Sequence, residues 1–326
     1  MLLLALPPLW GWWSLKRGGP LQQEATVLVR RGATVDQIAD QLEREGVIHS
    51  AGFFKLWART RKLQLLRGEY TFAPSANLAE VAGKLRRGEI HFTNVVIPPA
   101  AHAWTVQRRL KEFVPEDVFW TLWRSPRLAR AAGFEKAETL EGLVAPATYR
   151  LHHALEPEEI LLEMVEAFAR NVRPKLEGGV LPPYETLILA SLAEKESNLP
   201  EELPRIAGVY YRRLQIGMRL QCDPTSLYAR WLTGDLRFTA PLLEDIHRPH
   251  RFNTYTIGGL TPTPIAIPSA AAIEAAKVPQ DGKDLYFVAT GLGGHNFARS
   301  LPEHNRNVVV FRQEMKRKKL NAVKKK

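Results

Sequence analysis

Apolar positions recur along this chain in a few short blocks. Residues from Thr26 to Arg30 read as a strand, and Gly32 turns the chain into a helix started by Thr34. Val35, Ile38, Ala39 and Leu42 of that helix share one face, and Gly46 stops it. The same offsets return after Asn77, at Leu78, Val81, Ala82 and Leu85, and in part after Thr105, at Val106, Leu110 and Phe113. This is either a degenerate strand-turn-helix repeat or the default pattern of amphipathic helices. Residues 94–97 read as a strand leading into a second domain, and 114–183 as mostly helical around a loop at 142–151.

The stretch from 187 to 225 carries the strongest chemical signal. At about 100° per residue, Glu196 shares a helical face with Ile188, Leu189, Leu192 and Ala193, whereas Glu194 lies about 160° away. A carboxylate that closes an apolar face is costly to ionise, so its pKa rises toward the range a general acid needs. Glu194 is expected to be an ordinary solvated residue. The competing reading of Glu196 is a last-turn residue with its head in water.

Asn198, Leu199 and Pro200 end this helix, so Glu196 sits where loops can reach it. A second helix, about 202 to 214, carries Ile206, Val209, Tyr210 and Leu214 and packs back on the first. It runs into a polar cluster with Gln221 and Asp223. The connection from 234 to 245 has no clear pattern. A Pro/Gly-rich loop follows at 251–268, with Asn253 and Tyr255 offering hydrogen bonds and an aromatic face, or else tying the loop to itself. The last block reads as a strand to Ala289, a glycine turn and His295, then a helix started by Ser300. His295 is a proton relay, a ligand contact or a structural residue.

Length and composition bound these readings. A chain of 326 residues, 45% hydrophobic, buries a core and divides into two domains or more. The net charge of +11 suggests nucleic acid, but seven of the charges lie in residues 316–326, and without them +4 remains. That tail reads as a solvated, disordered terminus. No zinc finger, Walker or RNA-binding pattern occurs, and no His/Cys spacing suits a metal, so neither nucleic acid nor a metal or other cofactor is expected. A single cysteine, Cys222, excludes an internal disulfide. Residues 1–15 are apolar and uncharged, with Lys16 and Arg17 after them, but the run is shorter than the roughly 20 residues of a bilayer span. It reads as a signal-like core, a buried segment or a membrane anchor with interfacial tryptophans.

Four blocks, LASLAEKES, VYYRRLQIGMRLQCDPTSLYA, RFNTYTIGGLTPTPIAIPS and DLYFVATGLGGHNFARSLPEHNRNV, resemble in that order the signature of the endolytic murein transglycosylases, the YceG-like family. The resemblance covers about residues 25–313. It implies an α+β chain: a membrane segment over 1–20, a small LysM-like module over 21–92, a mixed, helix-rich catalytic domain over 93–313 and a basic tail over 314–326. It also implies a lyase that cuts nascent peptidoglycan without water, with Glu196, followed by Ser197, as its single acid and then base. Ser197, Gln221, Asp223, Asn253, Tyr255 and His295 are the expected substrate contacts. The partners implied are peptidoglycan glycan strands, the membrane and, as a candidate, a peptidoglycan synthase. The location implied is the inner membrane, single-pass, with the catalytic domain on the periplasmic side. The chain departs from the family at Pro98–His102, where Pro-Glu-Gly is usual, and at Ala145, Ala147, Thr263 and Ile267. The alternatives are a muramidase that activates water with Asp223, and a non-catalytic wall-binding scaffold.

Overall fold

The computed structural model describes residues 16–324, with side chains to Lys318. The expected membrane segment falls mostly on residues outside that range; among the described residues, no helix is long and apolar enough to cross a membrane. The chain divides into two units, and the division falls inside the strands β3 and β4 and the helix α7 defined below.

The first unit begins with β1 (Ala25–Val29), α1 (Val35–Arg44), α2 (Ala51–Thr60), β2 (Gly68–Phe72) and α3 (Leu78–Arg87). β1 and β2 pair antiparallel, with Val27 opposite Tyr70. Thr34 and Asn77 close capping boxes with Gln37 and Glu80, so the local signals that start α1 and α3 act as expected. The core gathers Val27, Ile38, Leu42, Phe54, Phe72, Val81 and Leu85. α2 was not expected from the pattern; Ser50 caps it and Phe54 anchors it in that core.

β3 (Thr93–Ile97) leads to α4 (Ala103–Leu110), α5 (Glu116–Trp123) and α6 (Pro126–Ala131). β4 (Ala147–Leu151) lies within the stretch expected to be a loop; it is a strand because β3 offers it an edge. The second unit then builds α7 (Pro157–Asn171), α8 (Pro183–Glu196), α9 (Leu203–Gln215), α10 (Asp223–Trp231), α11 (Leu243–His247) and α12 (Ala270–Lys277). It ends in a hairpin of β5 (Tyr286–Ala289) and β6 (His295–Ala298) and the helix α13 (Leu301–Lys324).

α8 is the axis of this unit. Every residue from Thr186 to Ala193 is buried, because α9, α10 and α12 pack around it. The helix therefore has no solvated face, and Glu194 is not the free surface residue expected. Its carboxylate accepts the backbone N–H of Ser269 at 2.9 Å, at the start of α12. The described part of the basic tail is likewise not the disordered segment expected, since α13 stays helical to Lys324. The Lys318 ammonium donates to the Gly291 carbonyl.

Candidate active site

Glu196 is the last residue of α8, half-buried, and its Oε1 accepts a hydrogen bond from the Tyr210 hydroxyl of α9. Burial is the largest influence on its carboxyl and pushes the pKa up. Hydrogen bonds from Tyr210 and the Cys222 thiol pull it down, and the charge of Asp223 adds to the upward push. The net effect is upward, so the group keeps a proton at higher pH than an ordinary glutamate.

Two cavities meet at this carboxyl. One, of about 420 Å³, is lined by Glu196, Tyr210, Arg213, Gln221, Tyr255 and His295, with further walls from β5 and α13. The other, of about 310 Å³, is lined by Lys195, Glu196, Leu227, Tyr228, Trp231 and Pro241. Asp223 borders both, as Glu196 does. Asp223, expected in the polar cluster that follows the helical hairpin, opens α10 and borders the same cavities as Glu196.

Short-range wiring holds the other groups. The Tyr255 hydroxyl donates to Asp223 Oδ1 at 2.5 Å, and burial pushes the Tyr255 phenol far up. Gln221 adopts a left-handed backbone at φ 50, a strained conformation for a residue with a Cβ, and its N–H donates to the Thr254 carbonyl at 3.2 Å. Arg213, buried, donates to the carbonyls of Leu220 at 2.5 Å and Leu285 at 2.7 Å, which ties the 219–220 turn to the start of β5.

His295 Nδ1 lies 2.7 Å from Glu202 Oε2, and the His295 N–H donates to Glu202 Oε1 at 2.7 Å. Burial alone would raise Glu202, but these bonds and one from Ser197 outweigh it and hold its carboxyl low. With Nδ1 engaged, Nε2 is the ring nitrogen left to face the cavity. Gly294 permits this arrangement: its φ is 75, and a Cβ there would stand 2.6 Å from Glu202 Oε1.

Two expected contacts lie elsewhere. Asn253 is fully buried, and its side-chain amide donates to the carbonyls of Asp245 at 2.8 Å, Ile246 at 3.2 Å and Arg248 at 2.8 Å. It ties the loop to itself and lines neither cavity, because its donors are saturated inside. Its Oδ1 accepts the Tyr255 N–H at 3.1 Å, so it places Tyr255. Ser197 faces Glu202, with Oγ to Oε2 at 3.1 Å, and also lies outside both linings. Tyr210, Arg213, Cys222 and Glu202 were missed as site residues. The polar tip of a tyrosine on a buried helical face was the available signal for the first. Among the described residues, no cluster of His, Cys, Asp and Glu is suited to hold a metal.

A family model described as the YceG-like family matches residues 27–309. Endolytic murein transglycosylases of Streptococcus pneumoniae strains D39 and R6 are each 27% identical over 317 residues, covering 87% of this chain and 58% of theirs. One from Bacillus subtilis is 29% identical over 248 residues, covering 73% of this chain and 63% of its own. The chain thus spans about three fifths of the length of these relatives. A crystal structure of a YceG-like protein from Listeria monocytogenes matches with TM-score 0.57 and 26% identity, over 87% of this chain and 98% of that one. With the family model matched over most of its length, the chain belongs to the YceG-like family.

Proposed function

We propose that this chain is an endolytic peptidoglycan transglycosylase, with Glu196 as acid and then base. The observation that carries the reading is the place of Glu196: its carboxyl, whose pKa burial raises, borders two cavities. Two cavities that share Glu196 as a wall leave room for sugar units beyond the pair it cleaves, which suits cleavage inside a strand. The relatives named as endolytic murein transglycosylases support the same substrate.

In this reading Glu196 gives its proton to the glycosidic oxygen between N-acetylmuramic acid and N-acetylglucosamine as the bond to muramyl C1 breaks. The muramyl 6-hydroxyl then attacks C1 and returns its proton to Glu196. Atoms balance without water, and the product ends in 1,6-anhydro-N-acetylmuramic acid. Tyr210 and Cys222 stabilise the carboxylate between the two proton transfers. Tyr255, Asp223, Gln221 and His295 position the sugars.

The β-α-α-β order that opens the first unit supports a LysM-like reading of residues 21–92, with glycan contact or spacing as its role. The apolar run at 1–15 supports a single-pass inner-membrane location, with the catalytic unit on the periplasmic side.

One observation favours a second reading. Asp223 borders both cavities, so a hydrolase in which Asp223 activates water has a candidate base. Mass spectrometry after digestion of purified glycan in ¹⁸O-water separates the two. Anhydro ends, about 20 Da lighter than ends hydrolysed in that water, are expected from the first mechanism. Reducing ends that carry ¹⁸O would make Asp223 the base, and no cleavage at all would retire both readings.

A further inference from the structure

The cavity bordered by Trp231 holds a cation, Lys195, that makes no close ion pair. Lys195 is half-buried, and its ammonium donates to the Ala100 carbonyl at 3.3 Å. An ammonium carries three donors, so most of its capacity is unused. Two carboxyl groups act on it from beyond ion-pair distance: Glu194, which accepts the Ser269 N–H at 2.9 Å, and the buried Glu141, whose pKa burial pushes up to about 8. Burial of Lys195 outweighs their pull and lowers its pKa from the ordinary value. Among the described residues, no carboxylate lies within ion-pair distance of Lys195.

Beside this cation the wall is aromatic and fixed. Trp231 Nε1 donates to the Phe238 carbonyl at 3.1 Å, and the His102 ring backs the indole at 4.5 Å. Tyr228 is held through its hydroxyl, which donates to Glu141 Oε2 at 2.9 Å. Rigid aromatic faces suit the C–H face of a pyranose ring, and an unpaired, partly desolvated ammonium suits an anion. Glu196 borders the same cavity, so whatever enters it lies next to the reacting bond.

We propose that this cavity is a carboxylate-reading subsite, in which Trp231, backed by the buried Tyr228 wall, takes a sugar ring and Lys195 binds a carboxylate on that sugar or on its substituent. The proposal rests on the reading of the chain as a peptidoglycan-cleaving enzyme. It deepens that reading by naming what distinguishes a muramyl strand from a polymer of N-acetylglucosamine alone. Two sources offer the same chemistry: the lactyl carboxylate of a stripped strand, and a carboxylate of a stem peptide.

The test is equilibrium binding to the full chain carrying Glu196→Gln, which keeps strands intact during the measurement. Stripped glycan strands with free lactyl carboxylates are compared with the same strands methyl-esterified. Esterification is expected to weaken binding about ten- to a hundredfold, the range of a charge-assisted hydrogen bond. Lys195→Met is expected to weaken binding of the free-acid strand by a similar factor and to leave the ester unchanged, whereas Lys195→Arg keeps the preference. The esterification comparison needs no change at Lys195, so it stands even if Lys195→Met fails to fold. Strands that retain stem peptides have their lactyl groups blocked; a Lys195 effect that persists there assigns the stem carboxylate, and its loss assigns the lactyl one. Equal binding of acid and ester, together with no effect of Lys195→Met on stem-bearing strands, overturns the subsite while leaving the glycan reading intact. Failure of every strand to bind overturns both.

Discussion

Tyr210 on α9 donates its hydroxyl hydrogen to Oε1 of Glu196 at the end of α8. The bond stabilises the ionised carboxylate and so opposes the upward push of burial. Tyr210→Phe is therefore expected to raise the Glu196 pKa. If protonated Glu196 is the acid, activity falls as pH rises through that pKa, and the alkaline limb of the pH–rate profile moves to higher pH in the variant. The carboxyl also loses its orientation, so turnover at the optimum is expected to drop about ten- to a hundredfold, or ~1–3 kcal/mol. A profile that merely scales down, with its alkaline limb unmoved, would detach Tyr210 from the acid.

The two glutamates of the α8 terminus separate by task. Glu196→Gln is expected to fold normally and to abolish cleavage. Glu194→Gln still offers a carbonyl oxygen to the Ser269 N–H, so activity and stability should both persist. Glu194→Ala removes the acceptor at the start of α12 and should cost about 1 kcal/mol in urea unfolding, the usual worth of a cap. Loss of cleavage in a folded Glu194→Gln protein would overturn the assignment of the acid.

Much of this site was legible in the sequence because α8 and its end carry local signals. The burial of Ile188, Leu189, Leu192 and Ala193 and the stop at Pro200 place Glu196 without any long-range information. What the helical period could not reveal is that Ser191 and Ala190 are buried as well, since that depends on α10, α12 and the loop whose Ile265 N–H donates to Ser191 Oγ at 3.1 Å. Asn253 illustrates the same limit. An Asn beside a Pro/Gly loop reads alike whether its amide faces a ligand or three carbonyls, and only the position of residues 245–248 decides. Glu202 was unreadable for another reason: its partner His295 is 93 residues away.

Arg230 explains how residues 234–245, patternless in sequence, are ordered. It is buried and paired with Asp245 at 2.7 Å, with Asp235 at 2.9 Å and with Glu244. Thr239, Ala240 and Pro241 of this segment line the second cavity. Arg230→Met leaves the buried Asp245 carboxylate without its cation, an arrangement that is strongly unfavourable. Limited proteolysis between 235 and 242 is expected to run at least tenfold faster in the variant, as local opening becomes frequent. Cleavage no faster than in the wild type would show that the ion pairs do not hold the segment.

Glu141 makes stability depend on pH in a direction opposite to an ion-paired acid. It is 2% exposed, its Oε2 accepts from the Ala103 N–H at 3.2 Å and the Tyr228 hydroxyl at 2.9 Å, and its Oε1 has no hydrogen-bond partner. Burial raises its pKa from 4.5 to about 8. Between those values the folded chain holds a proton that the unfolded chain has released, so stability falls as pH rises through the window. A shift of this size bounds the loss at about 5 kcal/mol. Glu141→Gln keeps the two accepted bonds and has nothing to ionise. Urea midpoints at pH 5, 6.5 and 8 should therefore fall in the wild type and stay nearly level in the variant, apart from changes both proteins share. A parallel fall in both would mean that Glu141 is already ionised at neutral pH. It would then supply Lys195 with nearby negative charge, and the cation beside Trp231 would be less free to bind a carboxylate.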